Sequence, residues 1–423
     1  MSSRSAPATK IVAFTQLFLA GSLLRPATAE DWPRWRGPRQ DGISRETGLL
    51  KQWPQDGPRQ LWQAQLSGGF SSVAVADGRV FTQTKEKNQE VVVCLDAATG
   101  KGRWRYRYDC DYGTHPSFTG GARPQARTGP RATPAVDGDR VYSLGATGIL
   151  LCLETKTGRK VWQQDLLKIG DCDCPRHGYC SCPLVVGDRV YVHPGGPKGK
   201  SIAALDKKHG TVVWQALDDP VGEGSPVWVE VHGSPQVIFF TALGAIGVAP
   251  KDGKLVWRYP WKTRFDLNIA TPIYAAGKVF ISSNYGTGGA VFRLKDEGEP
   301  ETVWKARTMQ NHVSTSVLYE GHLYGFSELR LRCVDFRTGA VKWDKPGLGR
   351  GSLVVADGHL IALGDHGQLL LAKAVPDRYT QVSRCQVFDR EMLTWTVPVV
   401  SGGRLFVRSE NALLALDLGG RGK

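Results

Sequence analysis

Runs of helix-favouring residues are scarce in this 423-residue chain, which excludes a helical body and leaves an architecture of short strands and tight turns. One-sided charge is also missing. The chain carries 54 Lys and Arg against 40 Asp and Glu, yet no five like charges are consecutive and no nucleic-acid-binding motif is present. A dispersed basic surface attracts polyanions, anionic headgroups and acidic glycans, but its plainer use is solubility. No nucleic-acid partner is expected. Beyond the first 24 residues no apolar stretch approaches the length needed to span a bilayer.

The single apolar run, Ile11 to Leu24, follows Arg4 and Lys10 and precedes Ala27-Thr28-Ala29. A basic start, a short apolar stretch and a small-x-small end predict a secretory signal over residues 1–29. The mature chain is then expected to begin near Glu30, with 51 basic against 40 acidic residues. Lipid anchoring would need a Cys at the cleavage site, and the first Cys is Cys94. The expectation is an exported protein, periplasmic or extracellular, soluble after cleavage, monomeric and without a transmembrane segment.

What is abundant is Gly, 50 residues, together with 13 Trp spread along the chain. They are ordered. Gly100/Trp104, Gly158/Trp162, Gly210/Trp214, Gly253/Trp257 and Gly339/Trp343 share the spacing Gly-x-x-x-Trp, and Asp96, Glu154, Asp206 and Asp335 lie four residues before four of these glycines. Trp62 and Trp304 fit the rhythm with altered turns. Such repetition is the signature of a repeat architecture. The units open alike, at Thr133-Pro134, Cys182-Pro183, Ser225-Pro226 and Thr271-Pro272, with weaker openings near Ser71, Ser316, Ser352 and Val397. That makes eight.

In the clearest copy, Thr133 to Leu166, Val141 and Tyr142 lie on a second strand, Leu150 to Leu153 on a third, and Val161-Trp162 on a fourth. The acidic residue at the turn can accept bonds from the amides ahead of it, and Gly takes a positive φ. The indole suits the gap between sheets, where its burial contributes roughly 2–3 kcal/mol. Four strands per unit match a propeller blade. The last unit stops at its third strand, Leu413 to Asp417, while an unmatched strand, Gln60 to Gln63, stands at the start. Pairing the two removes both open edges. The expected fold is all-β, an eight-bladed β-propeller of four-stranded blades closed by an N-terminal strand, with an extension over 30–59 and the propeller over 60–423.

Leu-Cys-Leu-Glu-x-x-x-Gly-Arg-Lys-Val-Trp, residues 151–162, resembles the pyrroloquinoline-quinone-like (PQQ-like) repeat, and the resemblance covers essentially the whole mature chain. Trp32-Pro-Arg-Trp-Arg-Gly-Pro, Asp41-Gly42 and Gly48-Leu49-Leu50 resemble the start of exported PQQ-binding-like propellers, some of them BamB-like. The repeat occurs in quinone-dependent dehydrogenases, assembly scaffolds and sensor domains, so it implies a fold before a function. The dehydrogenases it resembles stack PQQ on a Trp beside a Ca²⁺ held by Glu, Asn and Asp oxygens, use another Asp as base, and often join adjacent cysteines. This chain has no Cys-Cys pair and is shorter.

The copies differ where each outer strand leads to the next inner strand, and those connectors gather at the axis. Arg131, Glu223, Asn268, His312, Arg350 and Trp395 stand there. Asp266 and Asn268 offer oxygens suited to Ca²⁺, His312 a base or donor, Arg131 and Arg350 a carboxylate clamp, and Trp395 a stacking face. The alternative is that these residues satisfy loop carbonyls. One connector also holds Cys172, Cys174, His177, Cys180 and Cys182, which suit loop disulfides in an exported protein or a zinc site. Cys94, Cys152 and Cys333 occupy a buried repeat position and are expected to be structural. The leading expectation is a non-catalytic ligand-binding or scaffold propeller of the bacterial envelope, with envelope proteins or a small-molecule or carbohydrate ligand as partner. The alternatives are a PQQ- and Ca²⁺-dependent alcohol or sugar dehydrogenase and a carbohydrate- or polymer-binding module.

Overall fold

Third strands of the repeat read as unbroken apolar runs, Val91 to Leu95, Leu150 to Leu153 and Leu413 to Leu416, and each is buried along its length. A strand covered on both faces needs no polar alternation. Fourth strands do alternate, as in Gly102–Asp109, because their outward face meets water. The computed structural model describes Met1, residues 30–110 and residues 129–419, so the expected export signal lies outside the described residues. Among the described residues eight sheets follow one another, six of them built from four strands consecutive in the chain and two, the seventh and eighth, taking in a strand from the other end of the chain. The copy read most clearly from sequence is the antiparallel sheet Ala135–Asp137, Arg140–Leu144, Ile149–Glu154 and Lys160–Asp165. First strands of neighbouring sheets approach one another, which places them nearest the axis. Among the described residues the single helix is one short turn, Leu166–Gly170. The fold is an eight-bladed β-propeller.

The ring closes by exchange of one strand. Gln60–Gln65 pairs antiparallel with Ala412–Asp417, setting Trp62 opposite Ala415, and so completes the eighth blade from the other end of the chain. The apolar core lies between blades: Tyr142, Leu150 and Cys152 of one pack with Val185, Val190 and Leu205 of the next. Cys94, Cys152 and Cys333 sit in these layers, where burial pushes each thiol up to about 12, so they remain protonated packing groups.

The Gly-x-x-x-Trp spacing serves the joint between blades. The indole N–H of Trp62 donates to Ala97 O at 3.1 Å, Trp104 to Thr155 O at 2.9 Å and Trp162 to Lys207 O at 3.0 Å, each acceptor lying in the next blade's turn. Trp214, Trp304 and Trp343 do the same. The turn glycine lies flat against the incoming ring: a Cβ on Gly100 would meet Trp62 at 2.6 Å, and one on Gly158 would meet Trp104 at 2.7 Å. Both glycines also hold φ near +70°, so conformation and contact both demand glycine. In three of the turns the carboxylate accepts from amides ahead of it, as Asp96 does from Thr99 N at 2.8 Å. Glu154, one carbon longer, takes the Thr157 hydroxyl and the Arg159 guanidinium instead.

Two joints depart from the pattern. Trp257 turns its N–H to Gln236 Oε1 at 2.7 Å within its own blade, because the following turn, Leu294 to Pro300, lacks the spaced glycine. In the seventh blade Ser383 holds the indole's register, opposite Leu371. Trp53 compensates from the extension: its backbone N–H donates to Ser383 Oγ at 2.9 Å and its ring is buried in the local core.

The extension is not a tail. Trp32 exchanges both backbone bonds with Val75, Pro33 O accepts from Val136 N, Arg34 donates to Val185 O, Gln40 to Pro226 O and Arg36 to Ser316 O. Ile43–Ser44 then adds a short parallel strand inside the seventh blade. These partners lie at or beside the inner strands of six blades, so residues 32–44 cross the axis and plug one end of the channel.

Candidate functional site

Opposite that plug, the connectors between blades enclose an axial cavity of about 250 Å³, just below the usual range of roughly 300–1,000 Å³ for small-molecule sites. Trp35 reaches it from the extension, and its Nε1–H is fixed by Thr271 Oγ1 at 2.8 Å. Trp395, packed against Phe70 with ring centroids 5.1 Å apart, forms a second aromatic surface. Tyr285 adds a third and bonds His312 Nε2 at 2.9 Å.

The polar lining is small in number. Arg131 Nη1 donates to His177 O at 2.7 Å, and His177 Nδ1 lies 2.7 Å from Glu223 Oε1. This orients the imidazole with one nitrogen engaged. Desolvation, reinforced by the nearby Arg350 cation, lowers His312 to about 4, so its ring is neutral at physiological pH. His312 Nδ1 and Trp395 Nε1 are buried with no hydrogen-bond partner. Buried polar atoms are rarely left so, and both residues line the cavity.

The residues singled out from sequence divide into two groups. Arg131, Glu223, His312 and Trp395 line the cavity, and His177, Cys180 and Cys182 of the cysteine connector line it with them. Arg350 stands behind the lining, acting on His312 through its charge. Asn268 is fully buried and turned away. Its amide donates to Thr241 O and Trp261 O, and its oxygen accepts from Ser283 Oγ at 2.8 Å. Asp266 is exposed in a left-handed turn with φ 58°. The pair considered for Ca²⁺ does not meet at one point.

Among the described residues Glu223 is therefore the one carboxylate of the cavity wall, and it already faces His177. A planar quinone could lie against Trp35 or Trp395, but among the described residues the oxygen set that Ca²⁺ needs beside it is not assembled. The residues fit a ring-shaped ligand and do not fit the metal-bound cofactor, so no redox step is derived.

The cysteine connector behaves similarly. Cys172 Sγ points to Pro194 O, Cys174 to Ala146 O and Cys180 to Gly178 O, while Cys182 Sγ accepts from Thr133 N. Four sulfurs with four separate directions do not surround an ion, and no group of three His, Cys, Asp or Glu side chains among the described residues is placed to hold a metal. Burial, followed by the Glu223 charge, drives the Cys180 thiol well above its ordinary range. A thiol held protonated is a poor nucleophile.

Trp35, Phe70 and Tyr285 had not been singled out as site residues. Phe70 directly precedes the opening at Ser71 and obeys the same positional rule as Trp395. Tyr285 comes from a turn within a blade, and Trp35 from a segment outside the repeat.

An eight-bladed ring with interblade indoles and an axial cavity defines a PQQ-like-repeat propeller. The chain belongs to the family described as outer membrane protein assembly factor BamB, whose model matches residues 48–126 and 119–345. It is 24% identical over 290 residues to the outer membrane protein assembly factor BamB of Yersinia pestis, covering 65% of this chain and 70% of that one. It is 27% identical to the quinoprotein alcohol dehydrogenase PedH of Pseudomonas putida over 52% of this chain and 39% of the enzyme. The crystal structure of BamB from Moraxella catarrhalis superposes with a TM-score of 0.61 at 16% identity, covering 86% of this chain and 99% of the other. That last likeness concerns the fold alone.

Proposed function

We propose that this chain is an exported propeller of the bacterial envelope whose axial cavity holds a small ring-bearing ligand without transforming it. The observation that carries this reading is a cavity walled by Trp35, Trp395, Phe70 and Tyr285 that also contains two unpartnered nitrogens, His312 Nδ1 and Trp395 Nε1. Aromatic faces hold a planar or sugar ring, and isolated donors fix its orientation. A single wall carboxylate among the described residues, a neutral His312 and a protonated Cys180 support binding over turnover. The envelope setting is supported by the leader-like residues 1–29 and by relatives that are outer membrane protein assembly factors.

The test is a tryptophan-fluorescence titration of the purified protein with neutral sugars, sugar acids, aromatic acids and PQQ with Ca²⁺, alongside dye reduction in the presence of alcohols. The expected result is saturable quenching by at least one ring class, weakened about tenfold in Trp395→Ala, the size of one lost stacking contact. Absence of a response to every titrant would remove the binding reading. Dye reduction with PQQ, Ca²⁺ and an alcohol would replace it with a dehydrogenase.

A further inference from the structure

Glu46 is a carboxylate buried at 1% exposure. Its Oε1 accepts from Gly402 N at 2.5 Å and its Oε2 from Gly403 N at 2.7 Å, both in the first turn of the eighth blade. No lysine, arginine or histidine pairs with it among the described residues. A buried carboxylate bonded to amides alone lacks the opposite charge that normally accompanies one. Its remaining contact is Glu30 N, 3.0 Å from Oε1.

Glu30 is held in place from every side. Its carbonyl accepts from Ser401 Oγ at 2.7 Å, and its carboxylate takes the Arg39 guanidinium and Arg45 N. It is also the residue that follows Ala27-Thr28-Ala29, the small-x-small sequence expected to be cut on export.

We propose that Glu30 is the mature N-terminus and that Glu46 is the seat for its α-ammonium, so that leader cleavage itself locks the extension onto the ring. Hydrolysis of the Ala29–Glu30 peptide bond by a signal peptidase consumes one water, leaves a carboxylate on Ala29 and frees an amine on Glu30. That amine takes up a proton near neutral pH. One amide N–H is thereby exchanged for a positive charge with three donors, 3.0 Å from the buried carboxylate. The consequence reaches the cavity, because the anchored segment carries Trp35 only five residues further on. The uncut precursor lacks this pair and holds its plug less tightly, so the floor of the cavity is held more firmly after processing.

The test compares two chains: the exported product and a chain that retains Thr28-Ala29 ahead of Glu30. N-terminal sequencing of the exported product should return Glu30 first, and a different first residue overturns the assignment. Thermal melting of the exported product should lie about 3–5 °C above that of the extended chain, the order of shift expected from a buried charge pair in a domain this large. In Glu46→Gln the two chains should melt together. Equal melting of the parent chains, or an undiminished gap in the variant, overturns the pairing. Should Glu46→Gln fail to fold, acetylation of the α-amine of the exported product takes its place. Loss of the charge should lower melting by the same amount as the retained residues, and an unchanged melt rejects the seat.

Discussion

The outer belt of the ring and the connector layer around its axis are built on opposite plans. In the belt one contact recurs: an indole from one blade donates to a carbonyl in the next blade's turn at six of seven Trp positions, and at five of these it also covers a turn glycine. In the connector layer every contact is different. Gln83 bonds Ala132 O and Leu144 O, Asn311 bonds Phe326 O, and Asp219 takes a bidentate Arg258 and the Thr241 hydroxyl. Buried Arg408 donates to Ser71 O, Thr82 Oγ1, Gln83 O and the carbonyls of Gly68 and Gly69. Repetition gives the belt additive, interchangeable joints. Variety frees the axis to carry a site, at the cost of buried polar groups that must each be satisfied separately.

The joint whose loss should cost most is the one that closes the ring. Trp62 is 7% exposed, covers Gly100 and belongs to the strand that joins the two ends of the chain. Trp62→Ala should destabilise by about 3–5 kcal/mol, the range for removing a buried indole, and denaturant unfolding measures it directly. If closure matters beyond packing, the loss will exceed that of Trp257→Ala, whose indole bonds only within its own blade. Equal losses would show that the closing joint behaves as an ordinary one.

This division explains what could be read in advance. The ring was legible because Gly-x-x-x-Trp encodes two neighbours at once, and because the three-stranded end at Asp417 had one matching strand, at Gln60. The seventh blade was less so, since Ser383 erases the motif and its replacement, Trp53, lies 330 residues away in the chain. The axis was legible only as a set of positions. Asn268 lies five residues before its inner strand and Trp395 four before its own. With that one-residue offset the first turns into loop carbonyls, leaving Ile269 beside it to line the cavity, and the second turns toward the cavity. Side-chain direction there depends on which carbonyls neighbouring loops leave open, and that is a tertiary property.

The connector layer should also be where acid acts. His193, 1% exposed, lies beside Ser201 and Phe239, and burial lowers it to about 4 although the Asp219 carboxylate pulls the other way. The unfolded chain takes up a proton near pH 6.5 and the folded chain does not until about pH 4. The stability this site confers is therefore complete above pH 6.5 and is lost as pH falls toward 4, by up to about 3 kcal/mol. Unfolding free energies at pH 7, 5.5 and 4.5 should follow that slope, and His193→Gln should flatten it. An unchanged slope in the variant would move the acid sensitivity elsewhere in the layer.

The belt allows the finest test, because it separates what a glycine's conformation requires from what its contact requires. Gly138, in the inner hairpin of the same blade, holds φ +58° with open space where a Cβ would stand, whereas Gly158 of the belt holds φ +72° with Trp104 only 2.7 Å from that point. Alanine at 138 should cost about 1 kcal/mol for the left-handed backbone alone. Alanine at 158 should cost a further 1–3 kcal/mol, because the indole must shift out of its joint. Shortening the ring should then recover part of the loss: Gly158→Ala combined with Trp104→Leu should cost less than the sum of the two single changes. Strict additivity would mean that glycine recurs in these turns for its backbone freedom, and that the indole rests there without needing the space.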